Sequence, residues 1–342
     1  MKITIFAMML VLFGGHGFTE ENSEENRTEF ETYVWLEQEA MTDEEITNSE
    51  IHELIAQGLQ HKDPEIVQLC LNTVLWHSLV AQKAIEDGLA PTMNRNLQDI
   101  PGLYDALIKY WNKEWERAGK VIPDPEDMFD PDQKALVSDM DATAAQELVQ
   151  NIIDGKTSLT SMYQLWPGIP KLLAQLFPKK EEVYEIIWDT WGVQAQGYRG
   201  GLPDETGQNN PYPLLAALFH GKFNNPQDQE FRIRILLNEG SNKLTLKLAA
   251  RSLGDLQSEN GFEALVDVLQ DDSRAKDAPH LEIVEAMLKY GEQAVPYVDL
   301  MRSRVSQTNF LNSTDRKLRT NLTEQLTSFE QKHVEEIEQP SQ

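Results

Sequence analysis

Cysteine is nearly missing from this chain: Cys70 stands alone among 342 residues. A single thiol excludes an intramolecular disulfide and any zinc site built from several cysteines. Basic residues are scarce too, with 30 Lys and Arg against 56 Asp and Glu and a formal net charge of -26. Nucleic-acid-binding domains carry a basic footprint, so this balance argues against DNA, RNA and anionic lipid as partners. Beyond residue 17 no apolar run approaches the ~20 residues that span a bilayer, and no transmembrane segment is expected in the mature chain. Catalytic signatures are lacking as well: there is no G-x-S-x-G elbow, H-E-x-x-H, P-loop or G-x-G-x-x-G. Ser273–Arg274–Ala275–Lys276 fits S-x-x-K, but that pattern is short and its companion motifs are missing. No two histidines are spaced to share one helix face. Neither a metal nor a cofactor is expected.

What is present begins with a leader. Lys2 precedes an eleven-residue apolar run from Ile3 to Phe13, and Gly15 and Gly17 supply the small side chains that signal peptidase reads. The run is too short to span a membrane. We expect residues 1–17 to be a secretory signal cleaved after Gly17, which places the mature protein in a periplasm or outside the cell. An acidic arm, 18–45, follows. Residues 20–65 hold 15 acids and two bases, and 121–154 hold nine acids and one base. The arm reads as a solvated leader, or else as an acidic interaction tail or weak Ca²⁺ sink. Asp124, Glu126, Asp127, Asp130 and Asp132 form an acidic insert within 121–141. Those carboxylates could gather Ca²⁺, yet the run lacks the glycine and terminal Glu of an EF-hand, so a solvated loop is the simpler expectation.

The C-terminal half is the most regular. Leu246, Ala249, Ala250 and Leu253 recur at i, i+3, i+4 and i+7, the period of a half-buried helix, and Gly254 is expected to end it. Phe262, Leu265, Val266 and Leu269 repeat the pattern, then Leu281, Val284 and Leu288, then Val298, Met301 and Val305 behind Pro296. Gly254 and Gly291 mark units 37 residues apart, within the 35–45-residue period of α-solenoids. Lys243, Lys247 and Arg251 share one face of the first of these helices, expected to be its wet side or a dock for an acidic partner. Earlier helices are expected at 49–60, 64–80, 101–117, 131–153, 169–177, 180–191 and 211–220. Segment 226–238 alternates like a strand, but Asn225 before Pro226 forms a cap–N1 pair that favours helix. Leu311, Leu318, Leu322, Leu326 and Phe329 stripe a last helix within 309–338, suited to cover the open end of a stack.

On these residues the chain resembles HEAT-repeat proteins. Ala249–Leu256 is similar to the end of a HEAT first helix, Gly291–Pro296 to the turn into the second, and Leu165–Leu173 to that same turn. Asp63–Pro64–Glu65–Ile66 resembles the opening of a unit, although Val67 stands where Arg is usual and Glu263 replaces the turn proline. The resemblance implies an all-α fold, an α-solenoid of HEAT-like helix pairs. It would be irregular over 46–240, regular over 241–308, and closed by a C-terminal capping helix.

Tryptophans are the most suggestive side chains. Trp111 and Trp115 lie at i, i+4, and Trp188 and Trp191 at i, i+3, spacings that suit core packing or a groove that anchors peptides or sugars. A glycine-rich stretch, 192–212, follows Trp191, and loops of such length are usually functional or disordered. Trp188, Trp191, Tyr198, Arg199 and Tyr212 are therefore the candidate binding residues. The leading expectation is a non-catalytic protein- or peptide-binding scaffold. The alternative is an extracytoplasmic hydrolase or lyase-like enzyme near 192–212, with Asp189, Asp204 and Glu205 as local acids. A third reading is an envelope stability factor whose arm attracts cations or basic proteins. N-terminal sequencing of the exported protein is expected to begin at Phe18; a chain that retains Met1 would refute the leader.

Overall fold

Side-chain caps start several of the helices. Thr47 and Glu50 exchange bonds at the start of α2 (Asn48–Leu59): Glu50 N donates to Thr47 Oγ1 at 3.3 Å and Thr47 N to Glu50 Oε2 at 2.8 Å. Such a capping box satisfies donors that the first helical turn leaves open. Asn242 Oδ1 accepts from Thr245 N at 2.9 Å to open α10 (Lys243–Leu256). Pro226 starts α9 (Pro226–Leu237) behind Asn225, so the alternating segment is helical.

The computed structural model describes residues 29–86, 95–122, 140, 142–154, 156–158, 160, 163–197, 210–238, 240–274, 279–308 and 313–338. Outside them lie the leader 1–17, residues 18–28 of the arm, 123–139 and 141 of the acidic insert, Tyr198 and Arg199, and Leu311. Among the described residues the chain is all-helical, with no strand. It divides into two compact units, Met1–Leu176 and Phe177–Gln342.

In the first unit, α1 (Glu29–Trp35) runs into a π-helical segment, Leu36–Ala40, marked by Met41 N bonding back to Leu36 O. Both pack on the long helix α3 (Pro64–Glu86), which also pairs with α2. The arm is therefore not wholly solvated. Tyr33, Val34, Leu36, Ala40 and Met41 are buried, and their apolar area outweighs the acidic residues between them. Helix α4 (Leu103–Arg117) packs on α2 and on α6 (Ile169–Leu176), while α5 (Ala142–Ile153) lies between them in the chain. Gln38 Nε2 reaches Ile152 O of α5 at 3.0 Å. Trp111 and Trp115 stack with centroids 5.0 Å apart, and Trp166 lies 5.5 Å from Trp111, so this pair belongs to the packing of the unit. Cys70 is buried, and that burial pushes its thiol up to about 12.

The second unit contains α7 (Glu181–Gly197), α8 (Tyr212–His220), α9, α10, α11 (Glu259–Gln270), α12 (His280–Leu288), α13 (Val298–Gln307) and α14 (Ser313–Glu338). From α8 onward the helices pack with a fixed pattern. The series α8, α10, α12, α14 is in contact step by step, as is α9, α11, α13, and neighbours from α9 to α14 touch across the two series. Residues 192–197 continue α7 and Tyr212 begins α8, so both ends of the expected loop are helical.

Further expectations change or narrow. Gly254 does not end its helix; α10 runs on to Leu256, where Gln257 adopts a left-handed cap. A Cβ at Gly254 would fall 2.6 Å from Ala286 Cα, so glycine lets α10 and α12 approach closely. Nor is the Lys247–Arg251 face wet. Lys247 Nζ lies 2.7 Å from Glu282 and 3.3 Å from Asp315, and Arg251 Nε lies 3.7 Å from Glu285, joining α10 to α12 and α14. Burial pushes the Lys247 ammonium down, but Glu282 and Asp315 outweigh it and the net displacement is upward. Finally, Leu322 and Leu326 of α14 are buried while most of that helix is exposed, a thin apolar seam against α12 and α13.

Arginines close the helix ends. Arg232 Nη2 donates to Leu218 O at 3.2 Å and Phe223 O at 2.6 Å, beyond α8. Arg274 Nη1 donates to Leu236 O at 3.0 Å, and Arg304 Nε to Leu269 O at 2.9 Å. Gly254→Ala tests the close approach. Helix propensity would favour alanine by about 1 kcal/mol, whereas overpacking against backbone costs about 1–3 kcal/mol. A lowered urea midpoint is expected, partly rescued by Ala286→Gly; an unchanged midpoint would contradict the packing.

Candidate functional site

Trp188 lies on α7 one turn after Tyr184, and both side chains are half-buried. Opposite them, Asp228 of α9 is fully buried. A carboxylate in that position needs donors, and it has them. Tyr184 Oη donates to Asp228 Oδ1 at 2.9 Å, Trp188 Nε1 to the same oxygen at 3.2 Å, and Asn225 N to Oδ2 at 3.0 Å. Asp228 thus serves the start of α9 and fixes two rings of α7 at once. Gln227 Nε2 donates to Tyr184 Oη at 2.8 Å, leaving the phenol bonded on both sides.

The ring faces are ordered by further contacts. Phe223 meets Tyr184 edge-on at 5.2 Å, and Phe231 meets Trp188 edge-on at 6.3 Å. Arg234 Cζ lies 5.6 Å from the Phe231 centroid. Gly192 matters here, because a Cβ would fall 2.8 Å from Trp188 Cε3; the indole lies over the backbone one turn on. Burial pushes the Tyr184 hydroxyl above its ordinary value. Asn225 and Gln227 act downward on it and Asp228 upward. Arg232, one turn after Asp228, is pushed down to about 10 by burial, with Asp228 and Tyr184 acting the other way. The arrangement is a half-open aromatic ledge locked from beneath by one carboxylate.

Of the candidate residues, the structure puts Trp188 in this ledge. Trp191 is 4% exposed and packs inside the unit. Tyr212 is half-buried at the start of α8, which packs on α7, and its N–H donates to Asn210 Oδ1 at 3.0 Å. Tyr198 and Arg199 lie outside the described residues, as do Asp204 and Glu205, while Asp189 is exposed on α7. Sequence reasoning missed Tyr184, Phe223 and Asp228. Tyr184 was within reach, since it shares a helix face with Trp188; Asp228 was legible only as part of the helix start behind Asn225, not as a partner for rings forty residues earlier.

A second buried carboxylate sits in the first unit. Glu37, on the π segment, accepts from Ser158 Oγ at 2.9 and 2.8 Å and from Thr160 N at 3.0 Å, with Thr160 Oγ1 also on Oε1. Its carboxylate ties Ser158 and Thr160 to the N-terminal segment. Among the described residues no three His, Cys, Asp or Glu side chains gather as a metal site.

Asp228→Asn keeps the volume but removes the charge that three donors share. Hydrogen bonds to charged groups are worth about 1.5–3 kcal/mol each, so the variant is expected to lose roughly 2 kcal/mol of stability. Its tryptophan emission should also shift; unchanged stability would mean that the rings are held otherwise. No family model, curated protein or solved structure matches this chain.

Proposed function

We propose that this chain is a HEAT-like α-solenoid acting outside the cytosol as a non-catalytic binding or scaffolding module for another protein or peptide. The repeat in the sequence supports the solenoid, and so does the packing of each helix from α9 onward on its next and next-but-one neighbours. The leader at 1–17 supports export. No helix among the described residues is long and apolar enough to cross a membrane.

One observation carries the binding reading: Tyr184 and Trp188 keep partly exposed rings while their polar atoms are tied to buried Asp228. Large rings held in place lose little freedom when a partner covers them, which is why fixed aromatic residues dominate interface energetics. Phe223 extends the ledge and Tyr212 stands on the adjoining helix α8. The partner fitting this surface is a polypeptide that offers apolar side chains. Its contact is expected to concentrate on the ledge, with the strongly acidic remainder of the chain steering basic segments toward it.

Affinity capture with immobilised protein provides the test. A partner retained by the wild type should lose affinity by at least about tenfold, roughly 1.4 kcal/mol, with Trp188→Ala. Trp115→Ala, in the other unit, should leave it unchanged. Equal loss in both variants, or none in either, would remove the ledge from the function.

A further inference from the structure

Three of the histidines hold a single N-terminal segment. His77 of α3 lies with Nε2 3.0 Å from Glu37 O on the π segment. His52 of α2 lies 2.7 Å from Arg95 O, and Arg95 in turn grips the segment: Nε donates to Met41 O, Nη1 to Ile46 O, and Nη2 to Ala40 O and Asp43 O, at 2.6–3.0 Å. His61 pairs with Glu29 at 2.8 Å, where α1 begins. Beneath this segment lies Cys70. A Cβ on Gly58 would meet both the Cys70 sulfur and the Tyr33 ring, so Gly58 of α2 and Tyr33 of α1 lie together over the thiol.

We propose that residues 29–46 form an acid-released clamp, in which protonation of His77 detaches α1 and the π segment from α3 and uncovers Cys70. The neutral ring donates one N–H to Glu37 O; protonating its second nitrogen places a cation at a half-buried position beside Arg95. Burial drives the His77 ring below its ordinary value, the bond to Glu37 O opposes this, and the nearby Arg95 cation reinforces it. The titratable and charged groups on the surrounding elements are Glu29, Glu31 and Tyr33 on α1, Glu37 and Glu39 on the π segment, Glu50, His52 and Glu53 on α2, and Lys171 on α6. On α3 itself they are Glu65, Cys70, Lys83 and Glu86. Glu37 is engaged by Ser158 and Thr160, and Arg95 is the charge acting on His77. His61 works in the opposite sense, since protonation would strengthen its pair with Glu29; that glutamate is 69% exposed, so the pair is weak.

The sign follows from linkage. A histidine whose closed-state value is depressed binds its proton better when released. The clamp is therefore fully engaged above the open-state value of about 6.5 and loosens as pH falls below it, toward the lower closed-state value. The unpaired segment would expose the buried side of α1 together with the face of α3 around Cys70. This device lies in the first unit and is independent of the aromatic ledge on α7.

Cys70 is the natural reporter, since it is the only thiol. Its labelling by 4,4′-dithiodipyridine, divided at each pH by the rate in urea, measures opening alone. Between about pH 7.5 and about pH 5 the ratio is expected to rise severalfold, because the released ring takes up a proton that the closed one resists. Helix content by circular dichroism should hold steady. His77→Gln retains an N–H donor without a titrating ring and should flatten the response, while His52→Gln should retain it. A flat wild-type ratio, an undiminished rise in His77→Gln, or helix loss in step with labelling would each overturn the proposal. Amide exchange of the wild type supplies a check that needs no variant. Normalised to intrinsic rates, acid should speed exchange in 29–46 above that in α10–α12; uniform acceleration would overturn the clamp.

Discussion

A helix leaves its last four carbonyls without partners and concentrates negative potential there. A chain whose described residues are all-helical meets that problem repeatedly, and this one meets it at several helix ends with buried guanidinium groups. Arg232, Arg274 and Arg304 each reach the carbonyls that end α8, α9 and α11, and Arg95 does the same for the segment after the π turn. Each of the four is less than a tenth exposed. Arginine suits the task because its five donors lie in a fixed plane and its charge persists when buried, whereas a lysine would offer one point of contact. Much of the order between successive helices depends on these few residues, in a chain otherwise poor in positive charge.

The same economy governs the buried acids. Asp228 is satisfied by two ring donors and one amide, Glu37 by two hydroxyls and one amide, and Glu282 by Lys247. A buried carboxylate without such partners would be strongly destabilising, so each pairing states which elements must come together. Lys247 is the clearest case. It connects Glu282 on α12 with Asp315 on α14, so the final helix is fixed by charge as much as by Leu322 and Leu326.

Helix positions were legible because apolar spacing is a local property. The stripe Leu246–Leu253 and the Asn225–Pro226 start both produced the expected elements. Residues 29–41 were not legible: Glu29, Glu31, Glu37 and Glu39 lowered the average hydropathy and hid the buried Tyr33, Val34, Leu36 and Ala40. Gly254 was misjudged because a helix breaker and a close-contact glycine look alike in one dimension; only Ala286, 32 positions away, distinguishes them. Trp188 was visible from its chemistry, yet its setting depends on Asp228, whose role exists only once α7 and α9 meet. Local pattern thus reached the elements, and partner choice over long separations remained hidden.

The π segment has a consequence for how the N-terminal region can vary. Its wide turn carries one residue more than an α-helix would need, and each residue on a helix advances the side-chain direction by about 100°. Deleting one position within Leu36–Ala40 would convert the turn to ordinary pitch and leave what precedes it facing the same way, whereas deleting two would swing it by that angle. After the larger loss Tyr33 and Val34 would leave their seats over α3, and Glu29 and Glu31, which precede them, would turn with them. Loss of one residue from this stretch is therefore expected to be tolerated and loss of two is not, which makes its length, more than its composition, the guarded quantity.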